Sequence, residues 1–213
     1  MNDKAYLTLA GPGEAELDEK RSRFLGFAAR VTSDGEAVEF VSSIRARYPD
    51  ARHAVYAYVA SSSGTLAQRY SDDGEPQGTG GLPVLDVIRK RELTDSAVVV
   101  VRYFGGILLG APGLVRAYSG AASLAVEAAG IVRMTPLLSL DIAVSYPLWG
   151  RAQSTAERLG LSAGDPIYAE NVRCTFGVVP EALESTKSAL RDACAGKIEF
   201  STGEISFVPV AVK

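Results

Sequence analysis

The sequence has 213 residues, which is long for one compact domain and comfortable for two of ordinary size. Hydrophobic residues make up 47% of it and charged residues 22%, as in a globular protein with a sizeable core. The formal net charge is −3, and neither half of the sequence is basic. This argues against strong non-specific electrostatic binding of nucleic acid over the whole surface, so any polyanion site must be a local basic patch.

The sequence predicts neither secretion nor a membrane anchor. No apolar run approaches the roughly 20 residues that span a bilayer, and residues 1–5 lack the apolar core of a signal peptide. The two cysteines, Cys174 and Cys194, form no C-x-x-C pattern, so we expect thiols in a reducing compartment. We therefore predict a cytoplasmic protein.

The first predicted elements are a strand at residues 6–9, a strand at residues 20–27 and a helix at residues 34–47. The second strand begins with a basic cluster formed by Lys20, Arg21 and Arg23. Such a cluster is typical of a solvated edge that keeps a strand from pairing with other chains. The helix is predicted from a capping box, in which Ser33 is followed three residues later by Glu36.

A third strand is predicted at residues 53–59 and begins with His53, the only histidine in the sequence. A lone histidine is more often a structural residue than a ligand or a catalytic base. Tyr56 and Tyr58 lie on one face of this strand, where they can pack or stack on nucleobases. A turn at residues 61–64 leads into a short return strand.

The stretch 71–81 combines several glycines with three carboxylates. Ser71 is followed by Asp72, Asp73 and Glu75. Carboxylates this close together can bind a divalent cation through oxygen, or Asp72 and Asp73 can form turns with their own backbone. Because the EF-hand spacing and a more distant partner glutamate are missing, we predict no metal site.

After a helix at residues 83–93 comes the most informative stretch of the sequence. Four valines at residues 98–101 predict a strand buried on both faces, and Arg102 ends the apolar run where the strand should emerge. A loop follows, and then a helix from Leu114 to Gly130 with small residues on one face. The loop and the start of the helix contain four glycines: Gly105, Gly106, Gly110 and Gly113.

A strand, a glycine-rich loop and a helix in this order aim free backbone N–H groups at an anion. Arg102 and Arg116 flank the loop, although Pro112 removes one backbone donor. The alternative is that the small residues merely let the helix pack tightly on the strand. The loop matches neither the P-loop nor the dinucleotide fingerprint, so we predict no cofactor.

Residues 136–213 predict a strand, a helix, two strands, a helix and a strand. This βαββαβ order is that of a ferredoxin-like domain. The segment has no glycine-rich loop, no histidine and no carboxylate cluster. We interpret it as a docking or scaffold module.

Several of these segments together resemble the YigZ/IMPACT family, namely residues 21–24, 51–58, 71–79 and 102–118. The resemblance implies an α+β fold in which an N-terminal domain, residues 1–135, is similar to the αβ module of ribosomal proteins and elongation factors. The ferredoxin-like domain then occupies residues 136–213. The resemblance also implies association with nucleic acid or the ribosome, and eukaryotic members of the family regulate translation.

Our first functional hypothesis is a binding protein of the translation apparatus, with RNA, the ribosome or a translation factor as its partner. Arg102, Arg116 and the loop backbone would contact phosphates, with the basic cluster of the second strand nearby. Tyr103 and Phe104 would stack on unpaired bases.

The alternative hypothesis is a hydrolase of unknown substrate. Ser71, His53 and either Asp72 or Asp73 are the residue types of a nucleophile, a base and an orienting acid. We expect the binding protein rather than the enzyme, because residue types do not establish geometry and no nucleophile-elbow or H-E-x-x-H motif is present.

We also predict that residues 71–81 and 102–113 lie side by side on one face of the N-terminal domain. Each segment precedes a helix, and both helix N-termini lie at one end of the sheet if the strands that feed them run parallel. The arginines would then face the carboxylates, with Asp73 competing with an incoming phosphate for Arg102. Replacing Asp73 by asparagine would accordingly tighten anion binding.

Overall fold

The computed structural model describes residues 4–62 and 65–212, apart from the side chain of Ser62. It divides into an N-terminal unit, Tyr6–Met134 with residues 209–212, and a C-terminal unit, Thr135–Val208 with residues 4–5. The predicted turn at residues 61–64 lies partly outside the described residues. None of the described helices is long and apolar enough to cross a membrane.

Among the described residues, the N-terminal unit contains six complete strands and three helices. In chain order these are β1 (Tyr6–Leu9), β2 (Gly13–Glu19), β3 (Ser22–Arg30), α1 (Asp34–Arg47), β4 (His53–Ser62), β5 (Thr65–Ser71), α2 (Gly81–Lys90), β6 (Ser96–Tyr103) and α3 (Gly110–Ala129). Five strands form one sheet in the order β2-β3-β6-β4-β5, and every neighbouring pair is antiparallel. The prediction of an α+β fold is confirmed.

Strand β6 is the centre of this sheet. Its four valines, residues 98–101, are fully buried, which confirms the predicted burial on both faces. Val98 and Val100 pack into the cluster beneath α2 and α3, whereas Val99 and Val101 pack into the cluster that includes α1. The sheet is therefore covered by helices on both faces, and each residue of β6 points at one helical layer.

Helix α1 covers the predicted residues and begins at the predicted cap. The backbone N–H of Glu36 donates to the Ser33 hydroxyl at 3.2 Å. The Glu36 carboxylate reaches back to the N–H of Thr32 at 2.7 Å rather than to the cap residue itself. Ser33 therefore satisfies one backbone donor of the first turn, and Glu36 satisfies the backbone donor of the residue just before the cap.

The sequence prediction missed strand β2 and placed the start of β3 too early. Lys20 and Arg21 are not strand residues: they form the turn between β2 and β3, with φ values of 47° and 64°. Strand β2 escaped prediction because Ala15 and Leu17 are its only half-buried apolar residues between acidic ones. It is an edge strand, and one of its faces is left polar.

Helix α3 lies directly on β2 and β3. A Cβ at Gly26 would lie 2.5 Å from the carbonyl oxygen of Ala121, and one at Gly13 would lie 2.3 Å from that of Ala125. Only glycine allows so close an approach of helix and strand backbones. The contacts also fix the direction of the helix, because its N-terminal end must lie towards the β2–β3 turn.

The C-terminal unit has the predicted ferredoxin-like order. It contains β7 (Ile131–Val144), whose first residues belong to the N-terminal unit, α4 (Tyr146–Arg158), β8 (Ser162–Ala163), β9 (Ile167–Tyr168), β10 (Val172–Val178), α5 (Leu183–Ala193) and β11 (Ile198–Ala211). Strands β8 and β9 both pair with β10, β10 pairs with β7, and β7 pairs with β11. The second strand of the motif is thus split into two short pieces.

Candidate nucleic-acid interface

The candidate residues gather at one end of the N-terminal sheet, which we call the loop end. Strands β3 and β4 begin there, at Ser22 and His53, and strands β5 and β6 finish there, at Ser71 and Tyr103. Strands β5 and β6 run in the same direction with β4 between them, so the loops that follow them lie at the same end. Sixteen predicted residues are at or beside this end: Lys20, Arg21, Arg23, His53, Ser71, Asp72, Asp73, Glu75, Arg102, Tyr103, Phe104, Gly105, Gly106, Gly110, Gly113 and Arg116.

The two loops are joined by a buried ion pair between Arg102 and Glu75. Nη1 of Arg102 lies 2.6 Å from the Glu75 carboxylate, and the two side chains are only 7% and 4% exposed. The hydroxyl of Tyr118, on α3, donates to the same carboxylate oxygen at 2.7 Å. The expectation that Arg102 emerges from the sheet is therefore wrong, because Glu75 neutralises it inside the protein.

Aromatic rings complete the surroundings of Arg102. Its guanidinium carbon lies 5.4 Å from the ring centroid of Phe24 and 5.5 Å from that of Phe104, within the range of cation–π attraction. Its Nε is buried and has no hydrogen-bond partner among the described residues. Burial, with the neighbouring Glu75 carboxylate, raises the pKa of Tyr118 far above its ordinary value. Tyr118 therefore stays protonated and remains a donor at any physiological pH.

Asp73 does not face Arg102, so the predicted competition for that arginine is assigned to the wrong residue. The Asp73 carboxylate accepts from Arg45 at 2.5 Å and from the N–H of Ala54 at 2.6 Å. Its main-chain carbonyl lies 2.8 Å from Nδ1 of His53. Asp73 thus ties its loop to α1 and β4, and the carboxylate that meets Arg102 is that of Glu75.

Asp72 holds the start of α2. Its carboxylate accepts from the N–H groups of Gly78, Gly80 and Gly81 at 2.8–2.9 Å. Helix α2 has no side-chain cap of its own, so Asp72 satisfies those free donors from eight or nine residues upstream. The three acids of this loop are therefore directed to different partners, and the part of the chain that the structure describes holds no group of three possible metal ligands.

This cap predicts a pH-dependent loss of stability in Asp72→Asn. Although burial alone would raise it, the three backbone donors bring the pKa of Asp72 below its ordinary value of 3.8. Because the pKa is lower in the folded state than in the unfolded state, the ionised carboxylate stabilises the folded state at pH values above 3.8. This contribution is lost as the pH falls through the pKa that Asp72 has in the folded state. We expect the variant to lose about 1–2 kcal/mol at pH 7.

Urea unfolding measured between pH 7 and pH 3 tests this prediction. The gap between the variant and the parent should narrow below about pH 4. Asp86→Asn, on the exposed face of the same helix, is the matched control and should change little at any pH. A gap that stays constant with pH would show that the lost charge is not the cause.

The residue types of a catalytic triad are present, but they form hydrogen bonds with other groups and not with one another as a triad requires. The Ser71 hydroxyl accepts from the N–H of Asp73 at 3.2 Å, and both aspartate carboxylates are held by backbone or arginine donors. Because a carbonyl oxygen only accepts, Nδ1 of His53 must carry the proton that it shares with Asp73. Among the described residues, neither a serine hydroxyl nor a carboxylate is hydrogen-bonded to the ring of His53.

The loop after β6 presents apolar side chains and an open helix end. Phe104 is 51% exposed and Leu108 is 83% exposed. Helix α3 begins at Gly110, four residues earlier than predicted, and its N-terminus has no side-chain cap. Backbone N–H groups at this end are therefore available to an anion, apart from the donor that Pro112 lacks.

The glycines of this loop are required for two different reasons. Gly106 and Gly110 have φ values of 83° and 70°, where glycine is favoured. Gly105 and Gly113 are close approaches instead: a Cβ would lie 1.9 Å from the Arg21 carbonyl oxygen at the first and 2.9 Å from the Leu109 Cβ at the second. Gly105 also donates to the Ser22 hydroxyl at 3.2 Å, so the loop rests directly on the β2–β3 turn.

Three exposed cations lie on the segments that border this loop. Lys20 and Arg21 lie in the β2–β3 turn, and Arg116 lies one helical turn before Gly120, whose Cα faces Leu17 of β2. Because β2 runs along α3 towards the helix N-terminus, Arg116 lies on the side of the helix that faces that turn. No ion pair joins any of the three to another described residue.

Two predicted residues lie on the opposite face of the sheet. Tyr103 follows Arg102 in β6 and therefore points the other way, where its hydroxyl donates to Asp50 at 2.8 Å. Arg23, its cross-strand neighbour, forms an exposed ion pair with Glu16. The structure therefore separates Tyr103 and Arg23 from Arg102 and Phe104.

Sequence reasoning assigned no role to Tyr118 or Arg45, the partners of Glu75 and Asp73. A tyrosine on the otherwise apolar inward face of α3 signals a buried hydroxyl that needs a partner. Arg45 carries no such signal, because an arginine in the last turn of an exposed helix is ordinary.

The comparisons with known proteins agree with this architecture. Residues 20–126 match the Impact N-terminal domain, and residues 142–197 match a domain of unknown function, DUF1949. The chain is 33% identical to the IMPACT family member YvyE of Bacillus subtilis, over 98% of this chain and 95% of that protein. It is 40% identical to the IMPACT family member YigZ of Escherichia coli, over 67% of this chain and 71% of that protein.

A solved crystal structure, titled as that of a hypothetical protein, has the same fold. It is 31% identical in sequence with a TM-score of 0.60, and the match covers 94% of this chain and 98% of that one. These matches define a protein with an Impact N-terminal domain followed by a second α+β domain. The chain belongs to the IMPACT family, which confirms the resemblance seen in its sequence motifs.

Proposed function

We propose that the protein is a regulator of translation in the cytoplasm that associates with RNA or the ribosome through the loop end of its N-terminal unit. The observation that carries this proposal is that the exposed Lys20, Arg21 and Arg116 lie on the two segments that border the loop before the uncapped start of α3, the loop that also exposes the ring of Phe104. Unpaired cations and helix N-termini bind phosphates. An exposed aromatic ring stacks on an unpaired base.

The buried ion pair changes which residues make these contacts. Arg102 is neutralised by Glu75, so the phosphate contacts fall to the exposed cations and to the backbone donors of α3. Arg102 contributes indirectly, because its guanidinium packs against one face of the Phe104 ring and holds that ring in position. The other face of that ring is the stacking surface for a base.

A double substitution, Arg21→Ala with Arg116→Ala, should weaken the binding of single-stranded RNA and reduce its dependence on salt. Each contact between a cation and a phosphate of single-stranded RNA contributes about 0.7 to the magnitude of the slope of log K against log salt. Loss of two such contacts should therefore reduce that magnitude by about 1.4. Fluorescence anisotropy of a labelled RNA in a series of KCl concentrations measures both quantities. Phe104→Ala should weaken single-stranded RNA more than duplex RNA.

The matched control is Arg151→Ala with Arg158→Ala, which removes two exposed arginines from α4 of the C-terminal unit. This control should leave the RNA affinity and its slope unchanged. Equal losses in both double variants would mean that binding follows total charge. Absence of salt-sensitive binding to RNA and to ribosomes by the parent protein would refute the proposal.

A further inference from the structure

A second surface lies on the opposite face of the N-terminal sheet. Helix α1 covers β4 and β6 on that face but leaves an open groove of about 670 Å³ over β2 and β3. Phe27 and Leu25 form its floor, and Tyr48 and Tyr103 are among the residues that line it. Three carboxylates, those of Glu14, Glu16 and Asp50, stand around these apolar and aromatic groups.

Two of these carboxylates already hold a guanidinium group of the protein. Arg47 forks onto Glu14 with distances of 2.6 and 3.0 Å, and its guanidinium carbon lies 5.2 Å from the ring centroid of Phe27. Arg23 forks onto Glu16 in the same bidentate manner. The groove therefore contains two intramolecular examples of an arginine bound in a bidentate manner by a carboxylate.

The third carboxylate, Asp50, has no cation. Among the described residues, its carboxylate accepts one hydrogen bond, from the neutral O–H of Tyr103 at 2.8 Å, and it forms no ion pair with an arginine or lysine. This hydrogen bond raises the pKa of Tyr103, as expected beside an ionised carboxylate. Asp50 is exposed, and it shares the groove with the rings of Tyr48 and Tyr103.

We propose that this groove binds a basic segment of a partner protein and that an arginine of the segment places its guanidinium on Asp50, against Tyr48 and Tyr103. Charge complementarity favours this occupant, because the groove offers an unpaired carboxylate and the partner supplies the missing cation. Arginine suits the position better than lysine, since its planar group pairs with a carboxylate in a fork and also stacks on aromatic rings. The proposal does not depend on RNA binding at the loop end.

Titration of the ¹⁵N-labelled full chain with the peptide RGRGRGRGR, followed by NMR, tests the proposal. Amide shifts should concentrate at Phe27, Tyr48, Asp50 and Tyr103, and the matching lysine peptide should bind more weakly. Asp50→Asn should reduce the affinity for the arginine peptide about tenfold. Asp50 is exposed, so this variant should fold normally.

Asp86→Asn, which removes the same charge on the helix layer across the sheet, is the matched control and should bind the peptide like the parent. Equal binding by Asp50→Asn and the parent, or shifts scattered over all acidic surfaces, would overturn the proposal. RNA-induced shifts at the same four amides would assign the groove to nucleic acid instead. Self-association that Asp50→Asn abolishes would assign it to a second copy of the chain, and none of these outcomes bears on the loop-end cations.

Discussion

Replacing Glu75 by glutamine is expected to lower the free energy of unfolding by about 3–5 kcal/mol. This is the largest effect that we predict for a substitution that introduces no steric clash. Glutamine keeps the shape of the side chain and can still accept from Tyr118. It leaves Arg102, which is only 7% exposed, as an uncompensated charge inside the protein. A loss of this size approaches the whole stability of many domains.

A compensating apolar replacement separates the charge from the packing. If the isolated charge of Arg102 is the cause, then Glu75→Leu combined with Arg102→Met and Tyr118→Phe should recover much of the stability that Glu75→Gln loses, because a packed apolar group needs neither a counter-charge nor a hydrogen-bond acceptor. Far-UV circular dichroism during urea unfolding is the appropriate signal. Fluorescence is less suitable, since the single tryptophan, Trp149, lies in the C-terminal unit.

Glu16→Gln is the matched control, because it also breaks a glutamate–arginine pair. In that pair the side chains of Arg23 and Glu16 are 53% and 45% exposed. Solvent stabilises each charge after the other is removed, so little change is expected. Equal losses for Glu16→Gln and Glu75→Gln would contradict the explanation based on burial.

The parts of the fold that could be predicted from sequence are those with a local physical cause. Ser33 and Glu36 lie within one turn of each other, so the start of α1 is written in the sequence. The four valines of β6 predict a buried strand because no other element suits four β-branched residues in a row. The adjacency of the two loops was also predictable, since it follows from the common direction of β5 and β6.

The parts that escaped prediction depend on contacts between distant segments. Arg102 and Glu75 are 27 residues apart, and nothing local indicates that they meet. An arginine at a strand end predicts emergence into solvent unless its counter-charge is known. Asp72 and Asp73 have identical side chains in adjacent positions, yet one caps α2 and the other binds Arg45. Their roles differ because the loop turns between them, where Asp73 has a φ of 45°.

The second large effect is expected for Gly105→Ala, at the contact between the loop and the β2–β3 turn. The new Cβ would lie 1.9 Å from the carbonyl oxygen of Arg21 and 2.5 Å from the backbone nitrogen of Ser22. Both neighbours are backbone atoms, so the turn itself must move. We expect a loss of about 3 kcal/mol in the free energy of unfolding, at the upper end of the usual cost of overpacking.

Gly106→Ala, one residue further on, separates crowding from backbone conformation. A Cβ at Gly106 meets no atom within 4 Å, but the residue has a φ of 83°. This variant should lose about 1–2 kcal/mol through backbone strain alone, and the β2–β3 turn should stay in place. Gly105→Ala should in addition weaken RNA binding without any change of charge, because it moves Lys20 and Arg21 away from the start of α3. If Gly105→Ala is no less stable than Gly106→Ala, or binds RNA like the parent, then the packing of the turn against the loop does not position these cations.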